Sequence, residues 1–95
     1  MKDRITKALI ERCNYSNHAA VLTANDLIAF ETEDLKRAVD SWIFHNENPE
    51  ITEGEFTTTS LMNNHHMTYP AALIFIDWYR ESPQDALSSI KHGGR

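Results

Sequence analysis

The segment YPAALIFIDWYRES, residues 69–82, decides the fold class of this chain. It is apolar at nearly every position except Asp77 and the polar residues at its end, so its pattern is typical of either a buried helix or a buried strand. Its isoleucines and aromatic residues favour a strand, whereas Thr68 ahead of Pro70 and the paired alanines favour the start of a helix. We predict a buried helix here. The domain is then mainly α, with four to five short helices; an α+β fold with a small sheet is the alternative.

Two helices are predicted ahead of residue 31. Apolar residues four positions apart indicate one amphipathic helix near residues 3–13, with a stripe formed by Ile5, Leu9 and Cys13. The segment HAAVLTANDLIAFE, residues 18–31, is typical of a second helix. Two short strands that turn at Asn25 and Asp26 are the alternative for this second segment.

The third predicted helix has the clearest signals for its start and its buried face. Thr32 serves as its N-terminal cap, and Glu33 and Asp34 place negative charge at the positive end of the helix dipole. Apolar residues then follow at helical spacing and predict one buried face, formed by Leu35, Ala38, Val39, Trp42 and Ile43. Pro49 is predicted to stop this helix, because a proline pushes the residue before it away from helical backbone angles.

Two further segments complete the predicted organisation. The residues after the third helix, PEITEGEF (49–56), read as an acidic loop. A last helix is predicted to begin at Pro83, with Ser82 as its cap, because proline is favoured at the first helical position.

Length and composition indicate one soluble domain, residues 1–95. The hydrophobic content of 41% suffices for one core, and no apolar run reaches the roughly 18 residues that a membrane span needs. Cys13 is the only cysteine, so an internal disulfide is impossible and thiol-based zinc frameworks are excluded. We therefore expect a cytoplasmic protein without a membrane partner.

The acidic residues are concentrated in the middle third of the chain. Residues 26–55 contain nine acidic and two basic side chains, a net charge of −7, whereas the whole chain has −5. Such an excess can steer a positively charged surface towards the protein, although it can equally serve solubility. The sequence thus predicts a small acidic protein-binding module (an adaptor, inhibitor or regulator) that contacts a basic partner through Glu31, Glu33, Asp40, Phe44, Glu47, Glu50, Glu53 and Glu55.

Phe44 is included among these residues because it lies off the apolar stripe of the third helix. An exposed aromatic side chain at this position would be typical of a partner surface or of a homodimer contact.

The adjacent histidines His65 and His66 raise the question of a metal or catalytic site. Neighbouring positions diverge by about 100° on a helix and point to opposite faces on a strand, so both rings cannot easily bind one ion. We predict a polar turn at these residues, and we assign no catalytic residue, metal ligand or cofactor to the chain. A small His-dependent enzyme or metal protein is kept as an alternative, as is a role for Asp77 as a buried carboxylate.

Two alternatives involve nucleic acids. The segment from residue 57 to 82 could form two helices joined at Thr68, the outline of a helix-turn-helix regulator, but its second helix would present aromatic and aliphatic residues with a single Arg80. Direct nucleic-acid binding therefore ranks below protein binding. The acidic charge also allows a mimic of DNA that inhibits a nucleic-acid-binding protein.

Overall fold

The computed structural model describes residues 1–93, with side chains through Lys91. Within these residues the chain forms six helices and two very short strands: α1 (Lys2–Cys13), α2 (Asn17–Ile28), α3 (Glu33–His45), β1 (Thr52–Glu53), β2 (Phe56–Thr57), α4 (Thr58–His65), α5 (Tyr69–Glu81) and α6 (Pro83–Gly93). The mainly α prediction is confirmed. The described part of the chain has one helix more than the predicted upper number, and it also contains a small antiparallel hairpin.

The chain divides into two compact units, Met1–Pro49 and Glu50–Arg95. The first unit contains α1, α2 and α3, and the second contains the hairpin with α4, α5 and α6. The single domain stays a prediction. No helix within residues 1–93 is both long and apolar enough to cross a membrane.

The first unit is a bundle in which each of the three helices contacts the other two. Both helices predicted ahead of residue 31 are confirmed, and the strand alternative for the second is wrong. Small side chains on α1 and α2 are buried, namely Ala8, Ala20 and Ala24, and they accompany the larger apolar residues Ile5, Leu9 and Leu27. Because alanine projects little from the helix, such faces let two helices approach closely.

Helix α3 begins directly after Thr32, as predicted, but the Thr32 side chain makes no capping hydrogen bond, so its predicted role as a cap is wrong. The five residues of the predicted apolar face are all buried. The prediction that Pro49 stops this helix is wrong, because α3 already ends at His45. Asn46 follows in the left-handed conformation, with φ of 53°, and its N–H donates to the carbonyl oxygen of Ser41. Asparagine tolerates this conformation better than most residues, so a local cap ends the helix before the proline acts.

Arg12, in the last turn of α1, binds the C-terminal end of α3. Its Nη1 donates to the carbonyl oxygen of Trp42 at 2.7 Å and to Oδ1 of Asn46 at 3.3 Å, while Nη2 lies 3.4 Å from the carbonyl oxygen of Ile43. The guanidinium also lies 5.2 Å from the centre of the Trp42 ring. The last carbonyl groups of a helix lack partners within the helix and carry partial negative charge, so a cation suits this position.

In the second unit, the prediction of an acidic loop after Pro49 is wrong, because part of the segment forms a hairpin. Thr52 pairs with Thr57 and Glu53 with Phe56, which leaves Gly54 and Glu55 as a two-residue turn. Gly54 has φ of 60°, a conformation that glycine adopts at little cost in such turns. A Cβ atom at this position would lie 3.2 Å from the ring of Tyr79, so glycine also leaves room for that ring.

The segment that decides the fold class forms helix α5, and this prediction is confirmed. The hydroxyl of Thr68 accepts a hydrogen bond from the N–H of Ala71 at 3.3 Å, which caps the start of the helix. On its buried side, Phe75 and Tyr79 contact Phe56 of β2, with ring centres 5.2 Å apart in edge-to-face geometry for both pairs. The aromatic residues therefore pack the core of the unit from a helix and not from a strand.

Helix α4 is held at its start by a reciprocal cap. Thr57 accepts a hydrogen bond from the N–H of Ser60, and the Ser60 hydroxyl lies 3.1 Å from the N–H of Thr57. The next residue, Thr58, is buried and exchanges hydrogen bonds with the backbone of Ile51. Helix α6 begins at Pro83, as predicted, and the carbonyl oxygen of Ser82 accepts its first hydrogen bond, from Ala86.

Replacing Arg12 by methionine tests the contact between α1 and α3. The substitution keeps an unbranched apolar stem but removes the donors to the α3 carbonyl groups, so we expect the free energy of unfolding to fall by about 1 kcal/mol. Chemical denaturation followed by circular dichroism measures this change. Arg37→Met is the matched control, because Arg37 is an exposed arginine on α3 itself; an equal loss for both variants would contradict the assigned role of Arg12.

Candidate partner-binding surface

The predicted partner-binding residues fall into two groups, one in each compact unit. In the first unit Glu31, Glu33, Asp40, Phe44 and Glu47 are all exposed. Glu33 and Asp40 lie on α3 away from its buried face, as the sequence indicated, while Glu31 and Glu47 lie just outside its two ends.

The exposed face of α3 is mixed in charge. Positions 33, 37, 40 and 44 are separated by four, three and four residues, so their side chains share one face of the helix. This face combines the carboxylates of Glu33 and Asp40 with Arg37 and the Phe44 ring, and Lys36 is exposed beside them. The uniform negative charge suggested by the sequence is therefore interrupted on the helix by two basic side chains.

Phe44 is exposed over 51% of its surface, whereas its neighbour Ile43 is buried. The expectation that Phe44 lies off the apolar stripe is thus confirmed. The guanidinium of Arg4, on α1, lies 4.9 Å from the centre of the Phe44 ring, a cation–π contact that the sequence did not indicate. One face of the ring is engaged by Arg4, and much of the remaining ring surface is open.

In the second unit two of the predicted residues already have partners within the unit. A carboxylate oxygen of Glu50 accepts a hydrogen bond from the hydroxyl of Thr59. Glu53 forms an ion pair with Arg80 of α5, in which Nε donates to Oε1 at 2.7 Å. Glu55 lies in the hairpin turn and is exposed. These two contacts tie the start of the unit to α4 and α5.

The adjacent histidines lie at the end of a helix, so the predicted polar turn holds for His66 and is wrong for His65. Helix α4 ends at His65, and His66 follows in the left-handed conformation with φ of 56°. The N–H of His66 donates to the carbonyl oxygen of Leu61, and the N–H of Met67 is 3.4 Å from the same oxygen. Among the residues that the structure describes, no three His, Cys, Asp or Glu side chains come together in a way that could hold a metal ion.

The enzyme alternative gains little from the positions of its candidate residues. Burial raises the pKa of the Cys13 thiol, and the nearby charge of Arg12 opposes this only in part. A raised pKa favours the neutral thiol, whereas a nucleophilic cysteine needs the thiolate. Asp77, the candidate for a buried carboxylate, lies on α5 and is only half-buried.

The outline of a helix-turn-helix unit is present in part. Helices α4 and α5 are in contact and are joined by residues 66–68. However, α5 buries much of its surface, and its basic side chain Arg80 is paired with Glu53. A recognition helix needs an exposed face with donors for base edges, whereas α5 buries six of its thirteen residues and exposes Trp78.

No protein-family model, curated protein sequence or solved structure matches this chain. Function must therefore be argued from its own surfaces.

Glycine substitutions at the two histidines should change stability in opposite directions. His66→Gly should raise the free energy of unfolding by about 1 kcal/mol, because glycine adopts the left-handed conformation without steric cost. His65→Gly should lower it by about 0.5 kcal/mol, because His65 lies within the helix. Thermal unfolding measures both, and a loss of stability for His66→Gly would show that its side chain makes a stabilising contribution.

The ion pair in the second unit should make Glu53 more important for stability than Glu55. Glu53→Gln should lower the free energy of unfolding by up to about 1 kcal/mol, since the pair is partly exposed. Glu55→Gln, in the neighbouring turn, should change it little. Urea unfolding at low and high salt separates the two cases, because salt should shrink the difference; equal effects would show that Glu53 contributes no more than a solvated carboxylate.

Proposed function

We propose that this chain is a small acidic protein-binding module, an adaptor, inhibitor or regulator, and that it contacts a basic partner surface. The proposed contact surface, called the α3 surface below, is formed by Glu31, Glu33, Asp40, Phe44 and Glu47. The observation that supports it best is the half-exposed Phe44 ring on the solvent side of α3, on the helix face that also carries Glu33 and Asp40. The buried side of the same helix already supplies the apolar contacts that the first unit needs.

The chemistry of this surface suits a partner that presents both cations and an apolar pocket. An aromatic side chain is a frequent anchor at the centre of a protein interface, where it becomes fully desolvated. Carboxylates around such an anchor speed the encounter with a positive surface and fix its orientation. Lys36 and Arg37 would favour a partner whose positive charge is interrupted by acidic residues, which adds selectivity over a uniformly basic surface such as a polycation.

The acidic residues of the second unit have a smaller part in the proposal. Glu50 and Glu53 would have to give up contacts with Thr59 and Arg80 in order to bind a partner fully. Glu55, exposed in the hairpin turn, would not have to give up such a contact. We place the protein in the cytoplasm, because a chain whose single cysteine allows no internal disulfide suits a reducing compartment. If the partner is a second copy of this chain, the proposal becomes a homodimer in contact through Phe44.

The test combines capture of partners with kinetics on charge-matched variants. A tagged full-length chain is used to recover proteins from the native host, and each candidate is then purified and measured by surface plasmon resonance. Phe44→Ser should speed dissociation at least tenfold, since an aromatic anchor contributes about 2 kcal/mol or more and about 1.4 kcal/mol corresponds to tenfold. The double variant Glu31→Lys with Glu47→Lys should slow association and flatten its dependence on salt.

The matched control is Asp3→Lys with Asp26→Lys, which makes the same change in net charge at exposed positions on α1 and α2. Association that slows equally in both double variants would show that only net charge matters. A dissociation rate that Phe44→Ser leaves unchanged would contradict the α3 surface as the site of contact. Light scattering at two protein concentrations shows whether the partner is a second copy.

A further inference from the structure

A groove of about 390 Å³ opens in the first unit, where the start of α1, the end of α2 and the middle of α3 meet. Its floor is aliphatic and consists of the buried residues Ile5, Leu27 and Val39. Its walls include Met1 and Ile28, which are exposed over 54% and 49% of their surfaces. A groove of this size lies within the range of small-molecule sites, and its apolar walls are open to solvent.

The charged residues of the groove lie at its rim and are mainly positive. Lys2 contributes one ammonium group from α1 and Lys36 contributes another from α3, while Asp40 follows one turn after Lys36. Within the part of the chain that the structure describes, neither ammonium group forms an ion pair. The groove thus combines an aliphatic floor with an excess of one positive charge at its edge, although the chain as a whole is acidic.

We propose that this groove binds a hydrophobic carboxylate of the medium-chain fatty acid class. The floor presents only aliphatic side chains, which suit a linear hydrocarbon chain, and burial of each methylene group stabilises such a complex by about 0.8 kcal/mol. The two lysines can then hold the carboxylate at the rim, where water still reaches it. A cationic amphiphile would be repelled by two lysines and attracted by one carboxylate, whereas a neutral one would gain nothing from the excess of positive charge.

The groove would select an anion, whereas the α3 surface would select a basic partner. Asp40 belongs to the α3 surface and also lines the groove. Its carboxylate would repel the bound anion, so the rim contains two residues that favour the ligand and one that opposes it. Substitutions at the rim should therefore shift the affinity in opposite directions, which nonspecific adsorption to an apolar patch would not do.

The experiment is a titration of the isotopically labelled full-length chain with decanoate, followed by amide NMR shifts. We expect saturable shifts at the groove, with affinity rising about fourfold for each methylene from hexanoate to decanoate. Lys2→Gln and Lys36→Gln should each weaken binding about threefold, and Asp40→Asn should strengthen it by a similar factor. Lys7→Gln is the control, because Lys7 is an exposed lysine of α1 outside the groove.

Several results would overturn the proposal. Absence of saturable shifts, or decanol binding as tightly as decanoate, would show that the groove does not select a hydrophobic carboxylate. Equal effects of Lys7→Gln and Lys36→Gln would assign the charge dependence to the protein as a whole. Self-association that Ile28→Glu abolishes, without any response to decanoate, would identify a second copy as the occupant.

Discussion

Three of the helices end at a residue in the left-handed conformation, and this constraint on the backbone is what stops each of them. Asn14, Asn46 and His66 have φ of 62°, 53° and 56°, and they follow α1, α3 and α4. A residue with a side chain costs roughly 1–2 kcal/mol in this conformation, with asparagine the best tolerated. At Asn14 and His66 the cost is offset because the turn lets the next helix of the same unit pack against the one before it, α2 against α1 and α5 against α4.

Arg12 stabilises one of these endings from a distance in the chain. It is thirty residues away from Trp42, yet it satisfies carbonyl groups at the end of α3 and contacts the Asn46 side chain. The interaction joins the last turn of α1 to the last turn of α3. It thereby helps to fix which side of α3 faces the core and which side, with Phe44, faces solvent.

Charged residues in this protein lie in three different local environments. Glu53 is part of an internal ion pair with Arg80, whereas Glu33 and Asp40 face solvent on α3. Lys2 and Lys36 border an apolar groove in a chain of net negative charge. Net charge therefore describes the average field that a distant partner meets, but it does not describe any single site.

The sequence by itself determined the features that depend on neighbours along the chain. The start of α6 follows from Pro83 at the first helical position, and the buried face of α3 and the exposure of Phe44 follow from the 100° step between helical residues. The exposure of Glu33, Asp40 and Phe44 on α3 could thus be predicted from the sequence.

Only the tertiary structure decided the rest. Strands of two residues have no periodicity to detect, so the hairpin became visible only through its pairing and through Phe56 packing on α5. The contacts of Arg12 with α3 and of Arg80 with Glu53 join residues about thirty positions apart, and no local pattern specifies such partners. The groove exists only because three helices meet at one place. The physical reason is the same in each case: helix starts and faces are set by interactions within a few residues, whereas pairing and cavities depend on which distant surfaces become buried together.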